Sequence, residues 1–158
     1  MSLYEGPVFR VERREGRDVV VHAPVAAVVA LDRDHVTLVR QRRVPVDATL
    51  LELPAGFIDE CEPPLRAAQR ELIEETGLHG GDWVELATFF TSAGFTDEQL
   101  HLFLATDLEP GEASPDADEE LEVVRVPLAD VPGLIDECRD AKTLIGLLLL
   151  ARRRGVGL

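Results

Sequence analysis

Cysteine is scarce in this sequence, and no cysteine pattern typical of a metal site is present. The two cysteines, Cys61 and Cys138, form neither a CxxC pair nor a zinc-binding spacing. Both are therefore predicted to be free thiols. The four histidines are scattered singly, so ordinary surface or core roles are favoured over catalysis or metal binding. None lies in a recognisable partner motif for a serine or cysteine nucleophile.

Long hydrophobic runs are also missing. Residues 1–18 contain no apolar stretch like that of a secretory signal, and the longest apolar run, residues 144–151, is too short to span a bilayer. We therefore expect a soluble, cytoplasmic protein.

Positive charge is in short supply. The chain has 16 Lys and Arg residues against 30 Asp and Glu residues, a formal net charge of −14. This balance argues against a nucleic-acid or anionic-membrane surface, both of which require clusters of basic residues. An anionic small molecule is not excluded, because bound metal and a few arginines would supply positive charge locally.

The 158 residues suit one domain with a sizeable core, and a single domain over residues 1–158 is predicted. Apolar patterning predicts strands over residues 8–13, 18–22, 25–31, 35–42, 51–53, 83–91, 99–107 and 121–126. The first two would form an N-terminal hairpin within residues 1–23, and the others a central mixed sheet. Helices are predicted over residues 64–76, over residues 141–154, and within residues 127–137 with an interruption near Pro132 and Gly133. The acidic stretch 108–120 is predicted to be a loop.

The helix predicted over residues 64–76 carries a concentrated negative charge. At about 100° per residue, its apolar and acidic positions separate into two faces, a packing face of Leu65, Ala68, Leu72 and Thr76 and an acidic face of Glu71, Glu74 and Glu75. Like charges at this spacing, and negative charge near a helix C-terminus, destabilise the helix. A hard cation such as Mg²⁺ would reverse that effect, because it bridges carboxylates to phosphate oxygens. For the three glutamates alone, a solvated face ending at Gly77 is the ordinary alternative.

The spacing around this helix is more specific than its charge. Gly56 is followed after five residues by Glu62, and after seven more by the segment RELIEETGL at residues 70–78. With these residues at these spacings, the chain resembles the signature of the Nudix hydrolases at every fixed position. The resemblance implies an α/β fold, an α/β/α sandwich around a central mixed sheet, and metal-dependent hydrolysis of a nucleoside diphosphate linked to another group.

Further segments resemble the ADP-ribose pyrophosphatase branch, namely residues 39–43, 51–56, 91–98 and 118–124. The resemblance implies a site for Mg²⁺, or alternatively Mn²⁺, made by the carbonyl of Ala55 with Glu71, Glu74 and Glu75. It implies that Arg43 contacts a substrate phosphate and that the nucleotide or ribose pocket includes Glu52, Ser92, Gly94 and Glu98. It also implies catalytic roles for Glu119 and Glu74, with Glu119 as the base and Asp118 and Glu120 as competing candidates. Arg70 is predicted to be structural and to pair with a glutamate of the motif.

One position departs from the branch pattern, because Ala93 stands where a proline usually follows the serine. This bears on ADP-ribose specificity and leaves the metal motif untouched. A triphosphate-sanitising pyrophosphatase and a non-catalytic nucleotide sensor are the two alternatives, although a sensor is expected to have lost motif glutamates. The branch also implies a homodimer in which the N-terminal hairpin reaches across to the partner, while a monomer would use the same hairpin on its own sheet.

Overall fold

The computed structural model describes residues 1–114 and 121–156. Within them, ten strands form two sheets. The strands are Ser2–Glu5 (β1), Phe9–Arg14 (β2), Arg17–His22 (β3), Val25–Asp32 (β4), His35–Arg43 (β5), Ala48–Glu52 (β6), Ala55–Phe57 (β7), Leu78–Phe90 (β8), Gln99–Pro110 (β9) and Leu121–Pro127 (β10). The helices are Pro64–Thr76 (α1), Val131–Glu137 (α2) and Ala141–Arg154 (α3), with 3₁₀ turns at Val44–Val46 and Leu128–Asp130.

The larger sheet is mixed, as predicted, in the order β10-β5-β4-β9-β8. Among the described strands of this sheet, β4 and β9 pair in parallel, and the other pairs are antiparallel. The second half of β4 pairs with β5, whereas its first half pairs with β7. The second half of β5 pairs with β6. The strands β4 and β5 therefore diverge, and the chain from β6 to β7 fills the space between them.

The sheet has a hydrophobic core on each of its faces. Strand β4 contributes to both cores because it is covered on both faces. Its alternate residues Val25, Ala27, Val29 and Leu31 join a core that includes Leu147 and Leu150 of α3. The residues between them, Ala26, Val28 and Ala30, join a second core with Ala67, Ala68 and Leu72 of α1. The sheet thus lies between α1 on one face and α3 on the other, which is the three-layer α/β arrangement expected from the sequence.

Helix α1 has the predicted bounds, and its C-cap Gly77 has a φ of 75°. Its packing face differs from the prediction, because Leu65 is 37% exposed while Glu75 is buried. The helix approaches the sheet through Ala67 and Ala68. Because these residues are small, the helix packs closely against the sheet at this point, and its buried face includes Glu75. The predicted separation of packing and charge was therefore wrong for one of the three glutamates.

Several other elements differ from the sequence-based expectation. The N-terminal sheet has three strands, because β1 pairs with β2, which in turn pairs with β3. Strand β8 begins at Leu78 and β9 continues to Pro110, so the predicted loop is shortened at its start. Pro132 does not interrupt α2 but lies in its first turn, where proline lacks only an N–H that would have no helical partner. Cys61 and Cys138 are free, as predicted.

The N-terminal sheet is attached to the segment that joins β8 and β9. The backbone N–H of Val20 donates to the carbonyl of Phe95 at 2.8 Å, and the N–H of Asp97 donates back to Val20 at 3.2 Å. The Asp97 carboxylate accepts from Arg14 and from the backbone N–H of His22. Among the described residues, no helix has the length and apolar character needed to cross a membrane.

Gly146 brings α3 close to the sheet, and this contact gives a stability prediction. A Cβ there would lie 2.6 Å from Leu53 and 3.0 Å from Val29, both in the core. We expect Gly146→Val to lower the free energy of unfolding by about 1–3 kcal/mol through overpacking, measured by urea denaturation. The matched control is Gly133→Val in α2, because a Cβ at Gly133 meets open space. An equal loss in both variants would show that the close approach at Gly146 is not the cause.

Candidate functional site

A pocket of about 890 Å³ opens where β4 and β5 diverge. Residues from both sheets, from α1 and from the start of α3 line it. Charged groups of both signs meet there, including Arg43, Glu52, Arg70, Glu71, Glu74, Glu98, Asp140 and Lys142. A polar ligand of nucleotide size fits a pocket of this volume.

Arg70 holds the acidic wall of the pocket together. Its guanidinium contacts Glu62 at 2.9 Å, Glu71 at 2.5 Å and Glu74 at 3.2 Å. It also donates to the carbonyl of Phe57 at 2.8 Å. The hydrogen bond from Arg70 lowers the pKa of Glu62 below its usual value. The prediction that Arg70 pairs with glutamates of the motif is thus confirmed.

The chain at Ala55 and Gly56 lies directly against two of these glutamates. Glu75 is buried, with an exposed fraction of 4%, and its carboxylate accepts a hydrogen bond from the backbone N–H of Ala55 at 3.2 Å. A Cβ on Gly56 would lie 2.1 to 2.3 Å from the Glu71 carboxylate. A side chain at position 56 would therefore displace the Glu71 carboxylate from the place that it occupies here.

The opposite wall contains a buried carboxylate with two cationic partners. Glu52 is 1% exposed and accepts from Nε of Arg43 at 2.7 Å, from Nη2 of Arg43 at 2.8 Å, and from Lys142. Burial by itself raises the pKa of Glu52, but the hydrogen bond from Arg43 and the charge of Lys142 outweigh it, so the pKa lies below its usual value. Glu52 is therefore a buried, paired carboxylate and not an exposed strand residue.

The first turn of α3 is joined to this cluster. Asp140 is the N-cap and accepts from the backbone N–H of Thr143 at 3.0 Å, as an N-cap carboxylate does. It also accepts from Lys142 at 3.1 Å. The hydroxyl of Thr143 in turn accepts from the backbone N–H of Leu53 at 2.8 Å. These contacts fix α3 to the chain that follows Glu52.

A third part of the lining comes from the end of β3 and the residues before β9. Glu98 accepts a hydrogen bond from the Thr91 hydroxyl, and its carboxylate lies 3.3 Å from Nδ1 of His22. Nδ1 of His22 is also 2.7 Å from the carbonyl of Ala23. Because a carbonyl only accepts, Nδ1 carries the proton. The imidazole edge also contacts Phe57, with ring centroids 5.2 Å apart.

The structure brings together most, but not all, of the predicted site residues. The pocket lining includes Arg43, Glu52, Ala55, Glu71, Glu74 and Glu98, whereas Glu75 lies behind it against Ala55. Ser92 and Gly94 are not among the described lining residues. Glu119, Asp118 and Glu120 lie outside the residues that the structure describes.

The sequence prediction missed several polar residues of the pocket, among them His22 and Lys142. Both had ordinary explanations, since His22 is a single histidine at a strand end and Lys142 belongs to an amphipathic helix. The one available signal was composition, because Lys142 is the only lysine in the sequence.

The acidic wall suits a hard divalent cation. Its carboxylate oxygens, with the nearby backbone of Ala55, are the donor type that such an ion prefers. Within residues 1–114 and 121–156, however, no three acidic, histidine or cysteine side chains are arranged to hold a metal ion by themselves. In this arrangement Arg70 engages Glu71 and Glu74, and Glu75 bonds to Ala55. Binding would therefore require these side chains to exchange partners.

Comparison with known proteins matches this geometry to one family. The family model described as the NUDIX domain matches residues 21–145. The chain is 38% identical over 139 residues to the ADP-ribose pyrophosphatase of Bacillus subtilis (strain 168), covering 85% of this chain and 75% of that protein. It is 33% identical over 156 residues to the GDP-mannose pyrophosphatase of Cronobacter sakazakii, covering 90% and 81%. A crystal structure of an ADP compounds hydrolase superposes with a TM-score of 0.83 at 26% identity, covering 99% of this chain and 92% of the other.

The buried Glu52 cluster gives a prediction about pH. Because the pKa of Glu52 is below its usual value of 4.5, its contribution to stability is fully present above pH 4.5 and is lost as the pH falls through the lower, folded-state pKa. We expect Glu52→Gln to lower the free energy of unfolding by about 1–3 kcal/mol at pH 7. This difference from wild type should stay constant down to about pH 5 and shrink at lower pH, measured by urea denaturation across the range.

The matched control for that measurement is Glu122→Gln, which removes an exposed ion pair with Arg40. Exposed pairs contribute little, so the control should change stability by less than about 1 kcal/mol at every pH. A wild-type advantage that already shrinks between pH 7 and pH 5 would contradict the assignment of a lowered pKa to Glu52.

Proposed function

This chain belongs to the NUDIX family of hydrolases, and from that premise we propose that it hydrolyses the diphosphate linkage of ADP-ribose or a related nucleoside diphosphate sugar. The products would be a nucleoside monophosphate and a sugar phosphate. The observation that carries this proposal is one pocket with Glu71 and Glu74 on one wall and the guanidinium of Arg43 on another. Carboxylates suited to a cation, together with an arginine suited to a phosphate, are what a diphosphate substrate requires.

We assign the acidic wall to a divalent ion, Mg²⁺ or alternatively Mn²⁺. The ligands would be Glu71, Glu74, Glu75 and the carbonyl of Ala55. Such an ion would supply positive charge against the diphosphate and acidify water. The chain itself contributes the position of these oxygens, because Arg70 and the backbone at Gly56 hold α1 and β7 together.

We assign recognition of the substrate to the remaining walls. Two N–H groups of Arg43 are used by Glu52, which fixes the plane of the guanidinium and leaves Nη1 for a phosphate oxygen. Glu98 would accept from a hydroxyl of the ribose or sugar. Ser92 and Gly94 are proposed to contact the nucleotide from beside the pocket, since neither is among its described lining residues. Glu52 would act through Arg43.

For the chemical step we propose that a loop carboxylate removes the proton of the attacking water, with Glu119 as this base. Glu74 is the second residue proposed as catalytic. The start of the acidic segment supports this assignment, because the backbone N–H of Ser114 donates to the carbonyl of Glu74 at 3.0 Å. The chain that leads toward Glu119 therefore starts beside the acidic wall.

A homodimer and a cytoplasmic location remain predictions. For the dimer, the N-terminal sheet has exposed apolar side chains at Leu3, Tyr4, Val8 and Phe9. Within one chain this sheet contacts residues 95–97 and contributes His22 to the pocket.

The function is tested with a substrate panel and a metal-ligand variant. We expect turnover of ADP-ribose with Mg²⁺ to exceed that of other nucleoside diphosphate sugars, NADH and oxidised triphosphates, and to cease with EDTA. Glu75→Gln should lower kcat by about 10²-fold or more, because it removes a ligand charge, while circular dichroism shows an unchanged fold. Preferred turnover of oxidised triphosphates would instead identify a sanitising pyrophosphatase, and no turnover of any member would support a nucleotide sensor.

The base is tested separately. We expect Glu119→Gln to lower kcat by about 10²-fold or more with little change in KM, because proton removal belongs to the chemical step. Asp118→Asn and Glu120→Gln serve as matched variants in the same loop. A near wild-type rate in Glu119→Gln, with a large loss in one of the other two, would move the base to that residue.

A further inference from the structure

We propose that Lys142 sets the affinity of the pocket for its anionic substrate by offsetting the charges of Glu52 and Asp140, and that it does so without touching the substrate. This inference rests on the proposed function, since it concerns how the same pocket attracts a diphosphate. Lys142 is then a positioning residue that acts through the charged wall formed by Arg43, Glu52, Asp140 and Lys142, here called the Arg43 wall.

The ammonium group of Lys142 is paired with carboxylates of the protein. The side chain is only 14% exposed, and its ammonium donates to Glu52 and, at 3.1 Å, to Asp140. An ammonium group is strongly hydrated, so burying it is favourable only where carboxylates replace the lost water. Two of its three donors have such partners.

The guanidinium of Arg43, in contrast, is more exposed and can contact a ligand. Its side chain is 40% exposed, and Glu52 engages Nε and Nη2 while Nη1 remains for a ligand. Arg43 is thus the member of the wall that can meet a substrate phosphate. Its effect on an anion depends on what surrounds it, because Glu52 alone would cancel its charge.

The charge count shows what Lys142 adds. Arg43 and Lys142 carry two positive charges, and Glu52 and Asp140 carry two negative charges, so the Arg43 wall is neutral. Without the lysine the wall would carry one net negative charge facing a diphosphate. At an effective dielectric constant of about 20, a unit charge that lies about 12 Å from a second unit charge changes binding by about tenfold.

Lys142 is expected to affect binding and not chemistry. It lies on the Arg43 wall, whereas the predicted metal ligands belong to α1 and β7. A charge that acts on the whole diphosphate influences the bound substrate and the transition state alike, which changes KM and leaves kcat nearly constant.

The first experiment compares Lys142→Met with Lys142→Arg. We expect Lys142→Met to raise KM for ADP-ribose about tenfold with kcat within about twofold, and Lys142→Arg to stay near wild type. Calorimetry with ADP-ribose in EDTA measures the same loss as a weaker Kd without turnover. The matched control is Arg139→Met, which removes one positive charge from an exposed neighbour of α3 and should leave KM unchanged.

The second experiment restores the charge without restoring the lysine. Asparagine caps a helix as well as aspartate does, so Asp140→Asn should preserve α3 and remove one negative charge. We expect the double variant Lys142→Met/Asp140→Asn to regain most of the lost affinity, and Asp140→Asn alone to lower KM severalfold. The single variant keeps the inference testable even if Lys142→Met does not fold.

The outcomes separate this inference from the proposed function. Unchanged KM and Kd in Lys142→Met would overturn the inference while wild-type turnover upholds the function. A double variant as weak as Lys142→Met would indicate direct contact between Lys142 and substrate and would also overturn it. Wild-type protein that neither binds nor hydrolyses any diphosphate sugar would overturn both.

Discussion

The guanidinium of Arg70 makes the acidic wall compatible with a folded protein. Glu62, Glu71 and Glu74 all contact it, and so does the carbonyl of Phe57, which belongs to the strand that faces the helix. Without a cation between them, carboxylates this close would repel one another and destabilise the C-terminal half of α1. Arg70 therefore joins α1 to β7, and the geometry of Ala55 and Gly56 depends on that junction.

The two walls of the pocket differ in charge, and this difference organises the proposed chemistry. The acidic wall has Glu71 and Glu74 in the pocket lining, with Glu62 and Glu75 outside that lining, so four carboxylates stand against the guanidinium of Arg70. The Arg43 wall, by contrast, is neutral. Negative charge is thus in excess on the side where a cation is expected and is balanced on the Arg43 wall. A bound cation would offset the repulsion between a diphosphate and the acidic wall, and Arg43 would contact a phosphate from the Arg43 wall.

Local features of the sequence were sufficient to predict α1 and β4. Pro63 and Pro64 mark the start of α1 and Gly77 its end, and a continuous apolar run predicts a strand buried on both faces. The exposure of Leu65 and the burial of Glu75 could not be predicted in the same way, because the contact made by Ala67 and Ala68 decides which side of α1 faces the sheet. Strand β1 and the start of β8 were missed because their pairing partners, and not their own patterns, make them strands.

The two halves of the site differ in the same way, because one is encoded by a local motif and the other depends on contacts between distant residues. The predicted metal ligands lie within residues 55–75, so a single motif describes them. The Arg43 wall joins Glu52 to Lys142, ninety residues apart, and the far wall joins His22 to Glu98. Contacts between residues so far apart along the chain have no signature in the sequence, and such contacts can change without altering the motif. Relatives of this chain are named for ADP-ribose in one case and for GDP-mannose in another, so similarity along the chain does not by itself specify the substrate. Substrate choice in this chain should therefore follow from the charges and contacts of those two walls.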